Sequence, residues 1–95
     1  MKLPFIQENF DNYLIRTFSK DVETDELKWH FDNENRKVTI LEGTDWEFQM
    51  DDELPITIKK NTPIFIPEGT YHRIIKGTGD LIVKVKKHLN TTLIK

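Results

Sequence analysis

The 95-residue chain contains no cysteine, which excludes disulfide stapling, thiolate catalysis and cysteine-based zinc sites. Ser19 is the only serine and no histidine stands near it, so a serine-nucleophile enzyme is not expected. No run approaches the roughly 20 apolar residues of a membrane-spanning helix. The start, MKLPFIQENF, carries one lysine and no long apolar stretch, so no signal peptide is expected there. An excess of charge of one sign is also missing. Fourteen Lys and Arg stand against 16 Asp and Glu, for a net charge of −2. Nucleic acid, whose binding needs a concentrated basic face, is therefore not an expected partner, and neither is a membrane. A cytoplasmic setting fits this composition.

What is present is enough for one core. Hydrophobic residues make up 37% and aromatics 11%, so wholesale disorder is not expected, and 95 residues are too few for two independent cores. The expectation is a single domain over 1–95, with an ordered body over about 13–87 and arms at 1–12 and 88–95.

Period-two alternation dominates the chain. Trp46, Phe48 and Met50 alternate with Glu47 and Gln49, and Leu81, Val83 and Val85 alternate with Ile82, Lys84 and Lys86. Ile64 and Ile66 oppose Phe65; Ile56 and Ile58 oppose Thr57; NYLIRTF (12–18) is a further β-branched and aromatic run. Helical spacing is limited to a short turn around Gln7 to Asn12. Turn signals recur at Glu42-Gly43, 51–55, 60–63, 67–69 and 77–80, a spacing that points to an all-β sandwich or barrel. Gly77 and Gly79 flank Thr78, where a tight hairpin would call for positive φ. The parity of the strand around Trp46, Phe48 and Met50 stays open, because a barrel buries only one face. Trp29, Trp46, Phe48, Phe65 and Tyr71 are expected in the core rather than around a ligand, with Tyr71 facing away from His72. Asp51, Asp52 and Glu53 form a solvated turn. Lys84, Lys86 and Lys87 are expected to protect a sheet edge, with His88 beyond the last strand.

The chemistry-bearing pattern lies in ELKWHFDNENR (26–36). In an extended chain His30, Asp32 and Glu34 would share one face, and His72 follows PEGTY at the start of another strand. Two histidines and a carboxylate brought together inside a barrel would form a facial triad suited to Fe, Mn, Ni, Cu or Zn, with open positions for a ligand. The structural alternative pairs His30 with Asp32 at the barrel mouth and leaves His72 as a satisfied, half-buried residue.

The segment NTPIFIPEGTYHRIIK resembles the second motif of the cupins, G-x5-P-x-G-x2-H-x3-N. Pro67, Gly69 and His72 match in spacing, Asn61 stands at the first glycine and Lys76 at the final asparagine. The first motif, G-x5-H-x-H-x3,4-E-x6-G, is matched less closely: Thr24, His30, Asp32, Arg36 and Gly43 occupy its positions. Together the two cover 24–76. The resemblance implies a cupin-type double-stranded β-helix, an antiparallel barrel or jelly roll. It implies His30 and His72 as metal ligands with Asp32 as a substituted third; Glu34 is an extra candidate by its parity with His30.

Arg36 falls at the position of the motif's glutamate. A cation there either repels a metal or pairs bidentately with Asp32. The expected function is binding of a small polar or anionic ligand by His30, Asp32, Arg36 and His72, with or without one divalent metal. The alternatives are a mononuclear metal-dependent cupin enzyme of dioxygenase or isomerase type, and a non-catalytic structural module with an ion-paired site. Iron and 2-oxoglutarate oxygenases share the fold, but their basic residue ten positions past the second histidine is Ile82 here. A homodimer is expected, given the arms and the small core.

Overall fold

Alternating β-branched and aromatic residues produce strands, and their apolar faces must find one another. The computed structural model describes residues 5–21 and 25–88. In it these runs form β1 (Ile6–Asn9), β2 (Leu14–Phe18), β3 (Asn35–Glu42), β4 (Glu47–Met50), β5 (Ile56–Thr57), β6 (Pro63–Ile66), β7 (His72–Ile75) and β8 (Leu81–His88), with one 3-10 turn, η1 (Asp25–Leu27). All strand pairs are antiparallel. They make a five-stranded sheet in the order β1-β2-β8-β3-β6 and a three-stranded sheet in the order β5-β4-β7.

The inward faces carry the alternation through. Leu14 and Phe18 from β2, Ile40 from β3, Phe48 from β4, Ile66 from β6, and Leu81, Val83 and Val85 from β8 are buried together with Trp46 and Ile58. Each such side chain contributes about 1.5–3 kcal/mol by leaving water. The open parity of β4 is thereby resolved. Trp46 and Phe48 point inward, while Gln49 turns out to accept from Arg73 Nε at 3.0 Å and to donate to the Glu53 carbonyl at 2.9 Å.

Several expectations are corrected. The stretch from Gln7 is no helical turn: β1 pairs with β2 through Gln7 and Arg16, and continues the sheet as an edge strand. The lysine-bearing strand is not an edge, since β8 lies between β2 and β3, and it runs on to His88. Lys84 and Lys86 alternate outward from Val83 and Val85, with Lys84 Nζ 4.5 Å from the Tyr13 ring centre. Phe65, Trp29 and Tyr71 are exposed rather than in the core. Phe65 sits on edge strand β6, with Lys37 Nζ 5.8 Å from its ring centre. The 77–80 turn uses no positive φ; Gly77 is required because a Cβ there would collide with the Thr44 carbonyl and stand 2.6 Å from Trp46 N. Positive φ occurs instead at Gly69 (78°), Asn61 (63°), Asp45 and Asp52. Asn and Asp are the non-glycine residues that best tolerate this conformation, which accounts for Asn61 at a motif glycine.

Candidate functional site

Residues 28–34 do not form the regular strand that the alternation of His30, Asp32 and Glu34 implies; β3 begins only at Asn35. His30 is instead a single bridge onto the first residue of β7. His30 N–H donates to the His72 carbonyl at 3.0 Å, and His72 N–H donates to the His30 carbonyl at 2.8 Å. Directly opposed residues of an antiparallel bridge project to the same side. The two rings accordingly meet with centroids 4.3 Å apart. Their neighbours Phe31 and Tyr71 project to the other side and touch edge-to-face at 5.1 Å.

The turn before His72 is pinned to the same segment. Gly69 N–H donates to the Asp32 carbonyl at 2.9 Å, and Glu68 N–H donates to Asn35 Oδ1 at 2.7 Å. With φ at +78°, Gly69 makes the reversal that a Cβ would strain. One loop therefore sets the backbone positions of His30, Asp32 and His72 together, and one donor atom from each lies within 4.8 Å of the others.

Both imidazoles are oriented from behind in the same way. Nδ1 of His30 lies 2.8 Å from the Lys28 carbonyl, and Nδ1 of His72 lies 2.8 Å from the Thr70 carbonyl. A carbonyl only accepts, so each Nδ1 carries a proton and Nε2 is the atom left for a ligand. His72 Nε2 then stands 3.3 Å from Oδ2 of Asp32, yet this buried oxygen makes no hydrogen bond of acceptable geometry among the described residues. A lone pair facing a carboxylate at that distance calls for a positive charge between or upon them, either a second imidazole proton or a metal ion. Two imidazole nitrogens and a carboxylate oxygen suit a first-row divalent ion, and backbone-anchored histidines are the usual outer support of such a site. Donors to one ion at about 2.1 Å sit no more than about 4.2 Å apart, so a small rotamer adjustment brings the three into range.

The other oxygen of Asp32 is taken by Arg36, with Nη1 3.3 Å from Oδ1, while Arg36 Nε donates to Glu34 Oε2 at 2.6 Å. The expected bidentate Asp32–Arg36 pair is therefore a bridge between two carboxylates. Glu34 is spent on Arg36 and is not among the three converging donors. Arg36 stands behind Asp32 and leaves Oδ2 free. Burial pushes the Asp32 carboxyl up, but His72, the Arg36 guanidinium and His30 outweigh it and hold the group below the usual carboxylate range.

The three donors open on a cavity of about 70 Å³ between the sheets. Its walls are apolar, including Phe48, Ile58 and Ile74, and its polar end adds two residues that no motif marks: Arg16 and Glu26. Arg16 Nη1 donates to Glu26 Oε2 at 3.2 Å, Nε donates to Gln7 Oε1 at 2.8 Å, and the Phe5 ring centre lies 4.7 Å from the guanidinium carbon. Its side chain is 12% exposed. Burial, with repulsion from Arg36, lowers its pKa against the pull of Glu26, Asp32 and Glu34. The available signal was parity, since Arg16 sits between Leu14 and Phe18 on the core face of β2.

No protein-family model matches the chain, and no curated protein is significantly similar in sequence. Solved structures are similar in fold. An RmlC-like cupin family protein with a double-stranded β-helix fold from Methanocaldococcus jannaschii superposes with a TM-score of 0.69 at 14% identity, over 96% of this chain and 86% of that one. The DMSP lyase DddQ from Ruegeria pomeroyi DSS-3 gives 0.70 at 17% identity, over 87% of this chain. The chain spans only 39% of that lyase's length. The Fe(II) form of HppE gives 0.62 at 18% identity, over 80% of this chain and 41% of that one. Two facing antiparallel sheets, a polar cluster between them and these superpositions lead to one conclusion: the chain has the double-stranded β-helix fold of the cupins.

Proposed function

We propose that this protein binds one divalent metal ion through His30, Asp32 and His72 and holds a small polar or anionic ligand in the adjoining cavity. The observation that carries the reading is the buried Oδ2 of Asp32, which lacks a hydrogen bond among the described residues while two imidazoles anchored at Nδ1 stand beside it. Leaving such an oxygen unsatisfied costs on the order of 1–3 kcal/mol, and an ion at that point removes the cost. The Fe(II)-bearing neighbour with the same fold supports a metal here. A divalent ion so held would polarise an oxygen of the ligand or lower the pKa of a bound water. The chain's own residues orient the ion from behind, through the Lys28 and Thr70 carbonyls and Arg36, and exclude bulk water with Phe48, Ile58 and Ile74.

A second reading keeps the same residues without metal. The bridge from Arg36 to Asp32 and Glu34 favours it, because a protonated His72 would complete an ion-paired cluster that cements the two sheets. Elemental analysis after reconstitution with Fe(II), Mn(II), Ni(II), Cu(II) or Zn(II), removal of excess ion, and comparison with His72→Ala separates the two. Near one equivalent in the wild type and none in the variant is the expected result. Absence of bound ion in both would favour the ion-paired cluster.

A further inference from the structure

We infer that the ligand of this cavity is a short-chain carboxylate whose anionic end is held by Arg16; the inference rests on the metal reading above and specifies its ligand class. Charge is the first argument. Asp32, Glu34 and Glu26 bring three negative charges to the polar end, against two positive charges from Arg16 and Arg36. Imidazoles that ligate a metal are neutral and add nothing, so with a divalent ion bound these groups sum to one positive charge. A monoanion restores neutrality in a site where unbalanced charge is expensive.

Geometry selects Arg16 over Arg36. Arg36 already serves two carboxylates. Arg16 has one, and that partner, Glu26, sits on the three-residue turn η1 rather than in a sheet. The Arg16 Nη2 group makes no hydrogen bond among the described residues, which leaves its planar fork able to take a second carboxylate. Arg16 enters from β2 of the five-stranded sheet and His72 from β7 of the facing sheet, so His72 and the guanidinium line one cavity from opposite sheets. Size and wall chemistry limit the remainder of the ligand. The walls beyond the polar end are aliphatic and aromatic, and the cavity of about 70 Å³ is small. A carboxylate with a short aliphatic tail matches both features better than a polyhydroxylated or large ligand does.

The test uses sodium propanoate, with uncharged propanamide as the isosteric control, in calorimetric titrations of the Mn(II)-loaded full chain. Propanoate is expected to bind one to one and propanamide at least about tenfold more weakly, the worth of a charge-assisted hydrogen bond. Arg16→Gln is expected to weaken propanoate by about tenfold with the Mn(II) content unchanged. Arg16→Lys, which keeps the charge and loses the fork, serves if Arg16→Gln does not fold, and is expected to fall between them. Glu26→Gln removes the competing carboxylate and is expected to tighten propanoate several-fold, a gain that a purely structural ion pair would not produce. Manganese uptake without propanoate binding, equal binding of propanamide, or indifference to both Arg16 substitutions would overturn the carboxylate subsite. Failure to take up Mn(II) or any other ion would overturn the metal reading instead. The subsite is then judged by titrating the metal-free chain, where binding that depends on Arg16 supports it and no binding overturns it.

Discussion

His30 and His72 are joined through their backbones, by reciprocal hydrogen bonds of 3.0 and 2.8 Å, and each ring is then fixed by the carbonyl two residues before it. The pair is a two-fold repeat of one local device. Its consequence is that both Nδ1 atoms point away from Asp32 and both Nε2 atoms are available to the site.

Ring nitrogen spectra of the metal-free chain, taken at a pH where both rings are neutral, are therefore expected to show the Nδ1-protonated tautomer for His30 and His72. That tautomer is the minor one for free histidine, so a long-range proton–nitrogen correlation reads it directly. Nε2-protonated rings would contradict the carbonyl contacts.

Arg36→Met is expected to destabilise the metal-free chain by about 2–3 kcal/mol, because it leaves Asp32 and Glu34 as partly buried charges without their shared cation. Addition of Glu34→Gln should return part of the loss, since one of the two stranded charges is then gone. Zn(II) should also narrow the gap by compensating Asp32. Urea denaturation of the single and double variants, with and without Zn(II), measures all three effects.

Gly77→Ala and Gly69→Ala separate close approach from backbone strain. At Gly77 the added methyl meets backbone atoms of Thr44 and Trp46, which cannot rotate away. A cost of about 2 kcal/mol, or on the order of 10 °C in Tm, is expected. At Gly69 no other described residue lies within 4 Å of the added methyl, and the φ of +78° is what opposes it, so about 1 kcal/mol is expected. Thermal melts of the two variants should rank them in that order.

Asp32 links stability to acid. Its carboxyl lies below its ordinary value of 3.8 in the folded chain, so it binds a proton more readily when unfolded. Its stabilising contribution is complete above that ordinary value and is lost as pH falls through the lower, folded value. In the metal-free chain, the stability difference between wild type and Asp32→Asn should shrink as pH falls below about 4. Denaturant midpoints across that range check the sign.

The strands at 46–50, 63–66 and 81–85 were legible because alternation is a local property: Val83 and Val85 face inward whatever partner their strand finds. Likewise, Pro67-x-Gly69-x2-His72 announced the reversal and the histidine after it, because glycine at positive φ is a requirement of one residue. Which strands lie at the edges was not legible. Lys84, Lys86 and Lys87 look like edge protection until β2 and β3 pair on either side of them.

The sequence by itself determined the all-β alternation and the candidate donors His30, Asp32 and His72, while leaving open which face of the 46–50 strand turns inward. Only the tertiary structure decided that a single backbone bridge, not a strand, aligns His30 with His72. It also decided that Glu34 is turned onto Arg36, and that Arg16 from β2 shares their cavity. The physical reason is range. Periodicity and turn chemistry act over a few residues, whereas a buried charge is satisfied by whatever the fold brings within about 3 Å, and that partner can be any distance away along the chain.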